Sequence, residues 1–169
     1  VRIGGFGGVD GLVTFLRDTT IRSVVDATHP FAAGISANAA AACTAAGVPL
    51  LRLARPGWTG TPGSDTWMWV DGHDAAATAA ATGRRVFLST GRQTLDRFTG
   101  PLAGHRVLVR VVEPLDIEVP SQWTVLRSRG PYTLDGERTL LHGNMIDTLV
   151  TKDSGGSYTR AKLDAAAEL

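Results

Sequence analysis

A single cysteine, Cys43, rules out an internal disulfide and any zinc site built on cysteine. Lysine is nearly as scarce, with Lys152 and Lys162 alone, so fifteen of the seventeen basic residues are arginines. The planar guanidinium, suited to bidentate binding of carboxylate or phosphate, is therefore almost the whole cationic inventory. Neither charge dominates: seventeen basic and sixteen acidic side chains give a net charge of +1, too little for a duplex nucleic-acid footprint. No apolar run approaches the roughly 18 residues of a membrane span. His29, His73, His105 and His142 never fall at HxxxH or HExxH spacing, and no metal site is expected. GxSxG and GxxxxGK[ST] are missing, which leaves hydrolase and nucleoside triphosphatase chemistry without support. The first residues carry no basic segment followed by an apolar one, and the expected setting is the reducing cytoplasm.

What is present points to a globular α/β chain: 43% hydrophobic residues, 20 glycines and 8 prolines in 169 residues. The chain also repeats itself. Set residues 1–44 against 126–169 without a gap and eleven positions are identical, among them Gly5 on Gly130, Asp10 on Asp135, Gly11 on Gly136, Thr14 on Thr139, Leu16 on Leu141 and Ile21 on Ile146. Each copy reads as a helix (residues 11–17 and 136–142), then a short apolar strand (IRSVV at 21–25, IDTLV at 146–150). An alanine-rich helix follows (36–46 and 159–169), with Ser36 and Thr159 as N-caps. Gly47 stops the first of these ahead of a strand at 48–53. Between the copies, the spacing predicts a strand at 66–70, a helix at 73–82, a strand at 86–89 running through a glycine turn into a helix, and a strand at 106–112. The fold expected is α/β with parallel sheets, two similar Rossmann-like halves (1–83 and 84–169) from an internal duplication, with a ligand cleft between them. By the logic of the repeat, a glycine-rich strand and turn would precede the first copy and a strand would follow the second.

Open α/β sheets bind ligands beyond the carboxyl ends of their strands, so three loops carry the search. Asp26-Ala27-Thr28-His29-Pro30-Phe31 places a carboxylate, a hydroxyl, an imidazole and an aromatic ring ahead of a helix. The plain alternative is that Asp26 and Thr28 satisfy local backbone donors while Phe31 plugs the core. Lys152-Asp153-Ser154-Gly155-Gly156 is its counterpart in the repeat, with consecutive glycines that let N–H groups converge on an anion. Ser89-Thr90-Gly91-Arg92 joins strand to helix through one glycine, a geometry suited to phosphate or carboxylate. Gly4-Gly5-Phe6-Gly7-Gly8 does not match GxGxxG. Cys43, on an alanine-rich helix, reads as packing, as do Trp58, Trp67, Trp69 and Trp123.

VDATHPFA at 25–32, GVPLLRLARPGW at 47–58, VFLSTGR at 86–92, RGPY at 129–132 and TKDSGG at 151–156 together resemble the precorrin-6A reductase family of cobalamin biosynthesis. The resemblance implies an NADPH-dependent reductase that delivers hydride to one double bond of precorrin-6A, giving precorrin-6B, with ligands held between two α/β halves. Ser89 stands where that family more often has threonine, and the family's amino-terminal glycine-rich turn has no counterpart here. The cofactor would meet Thr28, His29, Phe31, Thr90, Gly91 and Arg92. The carboxylate-rich macrocycle would meet Arg92, Arg129, Lys152, Ser154, Gly155 and Gly156. His29, then Tyr132, then Asp153 are the candidate proton donors, with water as a further source. Neighbouring methyltransferases of the pathway are expected partners. Two alternatives stand beside this reading, an NADH-using cobalt-precorrin-6A reductase and a non-catalytic module that binds a nucleotide or tetrapyrrole.

Overall fold

A computed structural model describes residues 4–28 and 30–169. The chain divides into two compact units, Val1–Pro56 and Gly57–Leu169. In the first, α1 (Gly8–Asp18), β1 (Val24–Asp26), α2 (Ala33–Ala46) and β2 (Leu50–Arg52) follow one another. α2 is long because alanine loses no side-chain entropy in a helix, and it stops where Gly47 takes a left-handed φ of 67°. It starts at Ala33, so Ser36 lies inside the first turn and is not the N-cap. Leu12 and Leu16 of α1 pack against Ala39, Ala42 and Cys43 of α2. β1 and β2 pair in parallel, Val24 with Leu50 and Asp26 with Arg52. The short apolar run at 21–25 reads as a strand covered on both faces, yet Val25 is 57% exposed and Leu51, its partner in this two-stranded sheet, 64%. Helices α1 and α2 account for only one of its faces.

The second unit is built on four parallel strands in the order β5-β4-β3-β6: β3 (Arg85–Ser89), β4 (Arg106–Val111), β5 (Trp123–Arg127) and β6 (Thr148–Thr151). Side chains alternate across a strand, and the alternation divides the core in two. Val86, Leu88, Val107 and Val109 meet Ala77 and Ala80 of α3 (His73–Ala80) and Phe98 of α4 (Asp96–Thr99). Phe87 and Leu108 point the other way, to Leu141 of α5 (Leu134–Gly143) and Ala165 of α6 (Ala161–Glu168). Thr133 caps α5 by accepting from the Gly136 amide, whereas α6 begins two residues beyond Thr159, with Arg160 in the cap position.

Several expectations change here. Residues 57–83 were assigned to the first half, but α3 packs on β3 and β4, so the segment belongs to the second unit. β5 was not anticipated. Residues 67–70 form no strand: a 3-10 turn at Ser64–Thr66 leads into Trp67 and Trp69, whose rings pack tilted with centroids 5.8 Å apart, and the Trp69 indole donates to the Ser64 carbonyl. This segment walls a cavity of about 480 Å³ along β6, whose sole strand partner among the described residues is β3. Shifted by 125 residues, α1 coincides with α5 to within one residue and β1 with the last three residues of β6. The helix–strand–helix order thus recurs at the spacing of the sequence repeat.

All four tryptophans lie in the second unit, so their fluorescence reports its unfolding. Phe98→Ala, which empties a fully buried site, is expected to lower that unit's unfolding free energy by roughly 3–5 kcal/mol in urea titration.

Candidate functional site

Parallel strands send every strand-to-helix connection to one edge of the sheet. In the second unit that edge carries residues 89–92, 128–133 and 151–157. The Ser89 hydroxyl donates to Thr151 Oγ1 at 3.1 Å, tying the carboxyl ends of β3 and β6. Thr90, 4% exposed, has no hydrogen-bond partner for Oγ1 among the described residues. An unpaired buried hydroxyl costs about 1–3 kcal/mol, which is unusual without compensation. Gly91 follows with φ 83° and ψ 170°, a conformation side chains resist. The chain enters a 3-10 turn (Arg92–Thr94) before the four-residue α4, not the single continuous helix expected there. Arg92 reaches Asp116 at 3.2 Å, and both side chains are exposed.

The KDSGG loop is braced from outside the repeat. Asp153 Oδ1 accepts from the Trp58 amide at 2.8 Å, and the Trp58 indole donates to the Gly156 carbonyl at 3.0 Å. A Cβ on Gly57 would strike the Asp153 carboxylate, which explains the glycine before Trp58. Ser154 is buried, its amide donating to Lys152 O at 2.7 Å, and Gly155 and Gly156 both take left-handed φ. Burial holds the Lys152 ammonium below its ordinary pKa. Lys162, on the first turn of α6, donates to the Thr159 carbonyl at 2.8 Å and lies over the Trp58 ring. Desolvation lowers its pKa to about 8, against the raising influence of Glu137.

At the RGPY loop, the Tyr132 hydroxyl donates to the Ser128 carbonyl at 2.9 Å, so its proton is engaged. The ring of Tyr132 covers the Arg110 guanidinium at 4.1 Å, and Phe87 lies against the same group at 4.9 Å. Glu137 grips Arg110 in two bonds, 2.7 and 3.0 Å. Arg129 projects into solvent beside Glu113 at 3.1 Å. Arg110 on β4 and Glu137 and Lys162 on helices escaped sequence reading, because charged side chains ordinarily face water. The repeat held a signal: Glu137 falls on Leu12 and Lys162 on Ala37.

In the first unit, Asp26 Oδ1 accepts from the Thr28 amide (3.0 Å) and the Thr28 hydroxyl (2.6 Å), and that hydroxyl meets Ser36 Oγ at 3.1 Å. Asp26 therefore accepts from a local backbone donor, as the plain alternative held, whereas the Thr28 hydroxyl is a donor to it, and Phe31 is 46% exposed and does not plug the core. His29 lies outside the described residues. Bonds from Ser36 and Thr28 hold the Asp26 carboxyl at about 2.

Across residues 1–169 the chain matches the family described as precorrin-6x reductase CbiJ/CobK. It is 46% identical over 169 residues to the precorrin-6A reductase of Rhodococcus erythropolis, covering all of this chain and 68% of that one. It is 50% identical over 171 residues to the precorrin-6A reductase of Mycobacterium tuberculosis H37Rv, with the same coverage. The cobalt-precorrin-6A reductase of Priestia megaterium is 32% identical over 182 residues, covering all of this chain and 69% of its own. A solved CobK precorrin-6A reductase superposes with a TM-score of 0.87 at 42% identity, over 99% of this chain and 68% of that one. The chain belongs to the precorrin-6x reductase family.

The Asp26 network gives a pH test. A carboxyl whose pKa falls on folding stabilises the fold when ionised; the contribution is present above its ordinary value of 3.8 and lost as pH falls toward 2. The stability gap between wild type and Asp26→Asn should therefore be full above about pH 5 and narrow on acidification, as measured by thermal unfolding across the pH series.

Proposed function

We propose that this member of the precorrin-6x reductase family reduces one double bond of precorrin-6A with NADPH, giving precorrin-6B. The higher identity to precorrin-6A reductases (46–50%) than to a cobalt-precorrin-6A reductase (32%) supports the metal-free substrate. The observation that carries the cofactor assignment is the buried, unpartnered Thr90 hydroxyl beside left-handed Gly91. A hydroxyl in that position fits a polar group of a nucleotide, and Arg92 next to it fits a phosphate or carboxylate. When bound, NADPH supplies the hydride.

The chain's own residues bind, orient and supply the proton. Thr90, Gly91 and Arg92 are the candidate cofactor contacts of the second unit; Thr28, His29 and Phe31 are the candidate contacts of the first, taken by itself. Arg92, Arg129, Lys152, Ser154, Gly155 and Gly156 would receive the substrate's carboxylates. Tyr132 and Asp153 are weaker proton donors than their chemistry alone implies. The Tyr132 proton is committed to Ser128 O, and Asp153 anchors the Trp58 backbone. That leaves His29 as the preferred donor. The sequence repeat and its recurrence in element order support duplication of one helix–strand–helix unit.

Thr90→Val tests the cofactor contact. It removes a hydroxyl that no group among the described residues satisfies, so stability should hold or rise, while NADPH Kd should weaken roughly tenfold to a hundredfold, the worth of a hydrogen bond to a charged group. An unchanged Kd by fluorescence titration would remove Thr90 from the site. His29→Ala should slow single-turnover NADPH oxidation with precorrin-6A by about ten- to a thousandfold. A structural histidine would instead lower Tm and leave the rate of the folded fraction intact.

A further inference from the structure

Arg110 and Glu137 are 8% and 2% exposed, and they are joined by two parallel hydrogen bonds. Two such charges lose several kcal/mol of hydration each, and well-packed apolar residues of similar volume usually serve a core equally well. The chain itself provides the comparison. At the repeat's offset, Glu137 corresponds to Leu12, a buried residue in the core of the first unit, and α5 occupies the place of α1. The helix–strand–helix unit therefore folds with an apolar side chain where the second copy buries a carboxylate. Packing alone does not call for the ion pair.

Its neighbours indicate what it does. Arg110 stands near the carboxyl end of β4, in register with Leu126 of β5. Glu137 fixes the plane of the guanidinium from the first turn of α5, and the Phe87 and Tyr132 rings lie at 4.9 and 4.1 Å from its centre. Tyr132 in turn closes the turn after β5 through its bond to Ser128 O. The charged side chain within that turn is Arg129, 74% exposed, which forms an ion pair with the exposed Glu113.

We infer that the Arg110–Glu137 pair is a positioning device: through the Tyr132 ring it holds residues 128–132, and with them Arg129, at the carboxyl edge of the sheet. Arg110 and Glu137 touch no ligand in this role. The consequence for catalysis rests on the proposed reading that Arg129 receives a substrate carboxylate, while the effect on the loop does not.

Two readouts keep these claims separate. The first is tryptic cleavage after Arg129 in the full chain, followed by mass spectrometry at a temperature where the protein is folded. Replacing the pair by apolar residues, Arg110→Met with Glu137→Leu, should speed cleavage there about tenfold while the tryptophan-detected unfolding midpoint stays near wild type. Unchanged cleavage in a folded double variant overturns the inference. Should that variant fail to fold, Tyr132 decides: Tyr132→Phe, which keeps the ring and loses only the bond to Ser128 O, should cleave more slowly than Tyr132→Leu, which loses both and should cleave about tenfold faster than wild type. Equal rates for these two also overturn it. The second readout is kinetic. The double substitution should raise KM for precorrin-6A about tenfold at little cost to kcat, and should add nothing in a chain already carrying Arg129→Ala. Faster cleavage without the KM effect would uphold the positioning of the loop and remove Arg129 from substrate binding. A KM rise that adds fully to that of Arg129→Ala would show that the pair does not act through Arg129.

Discussion

The parallel ladder of the second unit is the constraint on which the candidate site depends. Val86 pairs with Val107 on one side and Thr148 on the other, and Val107 pairs with Trp123, so four strands share one direction and one register. Parallel strands need long crossovers, and each crossover leaves the sheet at the same edge. Residues far apart in sequence, Ser89, Ser128 and Thr151, are thereby collected without any of them specifying the others. The alternation of Val86, Phe87 and Leu88 completes the arrangement: a slip of one residue would turn Phe87 away from Leu141 and Arg110 away from Glu137.

Above that scaffold the loops are held by polar contacts of unequal strength. Trp58 secures the 153–156 turn with its amide and its indole, and Arg160 binds back to Thr61 Oγ1 and the Pro62 carbonyl. Those bonds explain why residues 57–66 belong to this unit although they precede its first strand by some twenty residues. Lys162 sits on the same Trp58 ring and on the Thr159 carbonyl, so one buried ammonium joins the helix to the loop before it. Its lowered pKa reflects the cost of that placement.

The sequence disclosed those features whose cause is local. Alternating or helical spacing marked β3, β4, α1, α2 and α5, and the glycine after Ser89 marked a turn. What it withheld depends on partners far along the chain. α3 is an alanine-rich helix that could serve either unit, and only the face of β3 exposing Val86 and Leu88 decides between them. Residues 67–70 are an apolar run like that of a buried strand, but extended backbone becomes a strand only where a neighbour pairs with it, and here the two indoles pack tilted against each other. The division near Gly83 followed from the strand that begins after it, whereas packing puts the boundary at Pro56. Thr90 was legible as part of a turn, yet the absence of any bond to its hydroxyl among the described residues is a property of the folded unit alone.

The exposed arginines at this edge differ from the buried one in a way that suits the proposed activity. Arg92 and Arg129 are each paired with one solvent-exposed carboxylate, Asp116 at 3.2 Å and Glu113 at 3.1 Å. Exposed pairs of this kind contribute about 0–1 kcal/mol, so exchanging them for a ligand's carboxylate costs little. A guanidinium loosely oriented by such a partner is neither free to collapse onto the surface nor committed to the partner it has. Arg110 is the opposite case: with both oxygens of Glu137 and two aromatic faces engaged, giving up its partner would leave an uncompensated buried charge worth about 3–5 kcal/mol. The strength of each pair thus separates arginines able to change partners from one able to hold its place. A polycarboxylate substrate needs both kinds, one to meet its charges and one to keep the meeting point still.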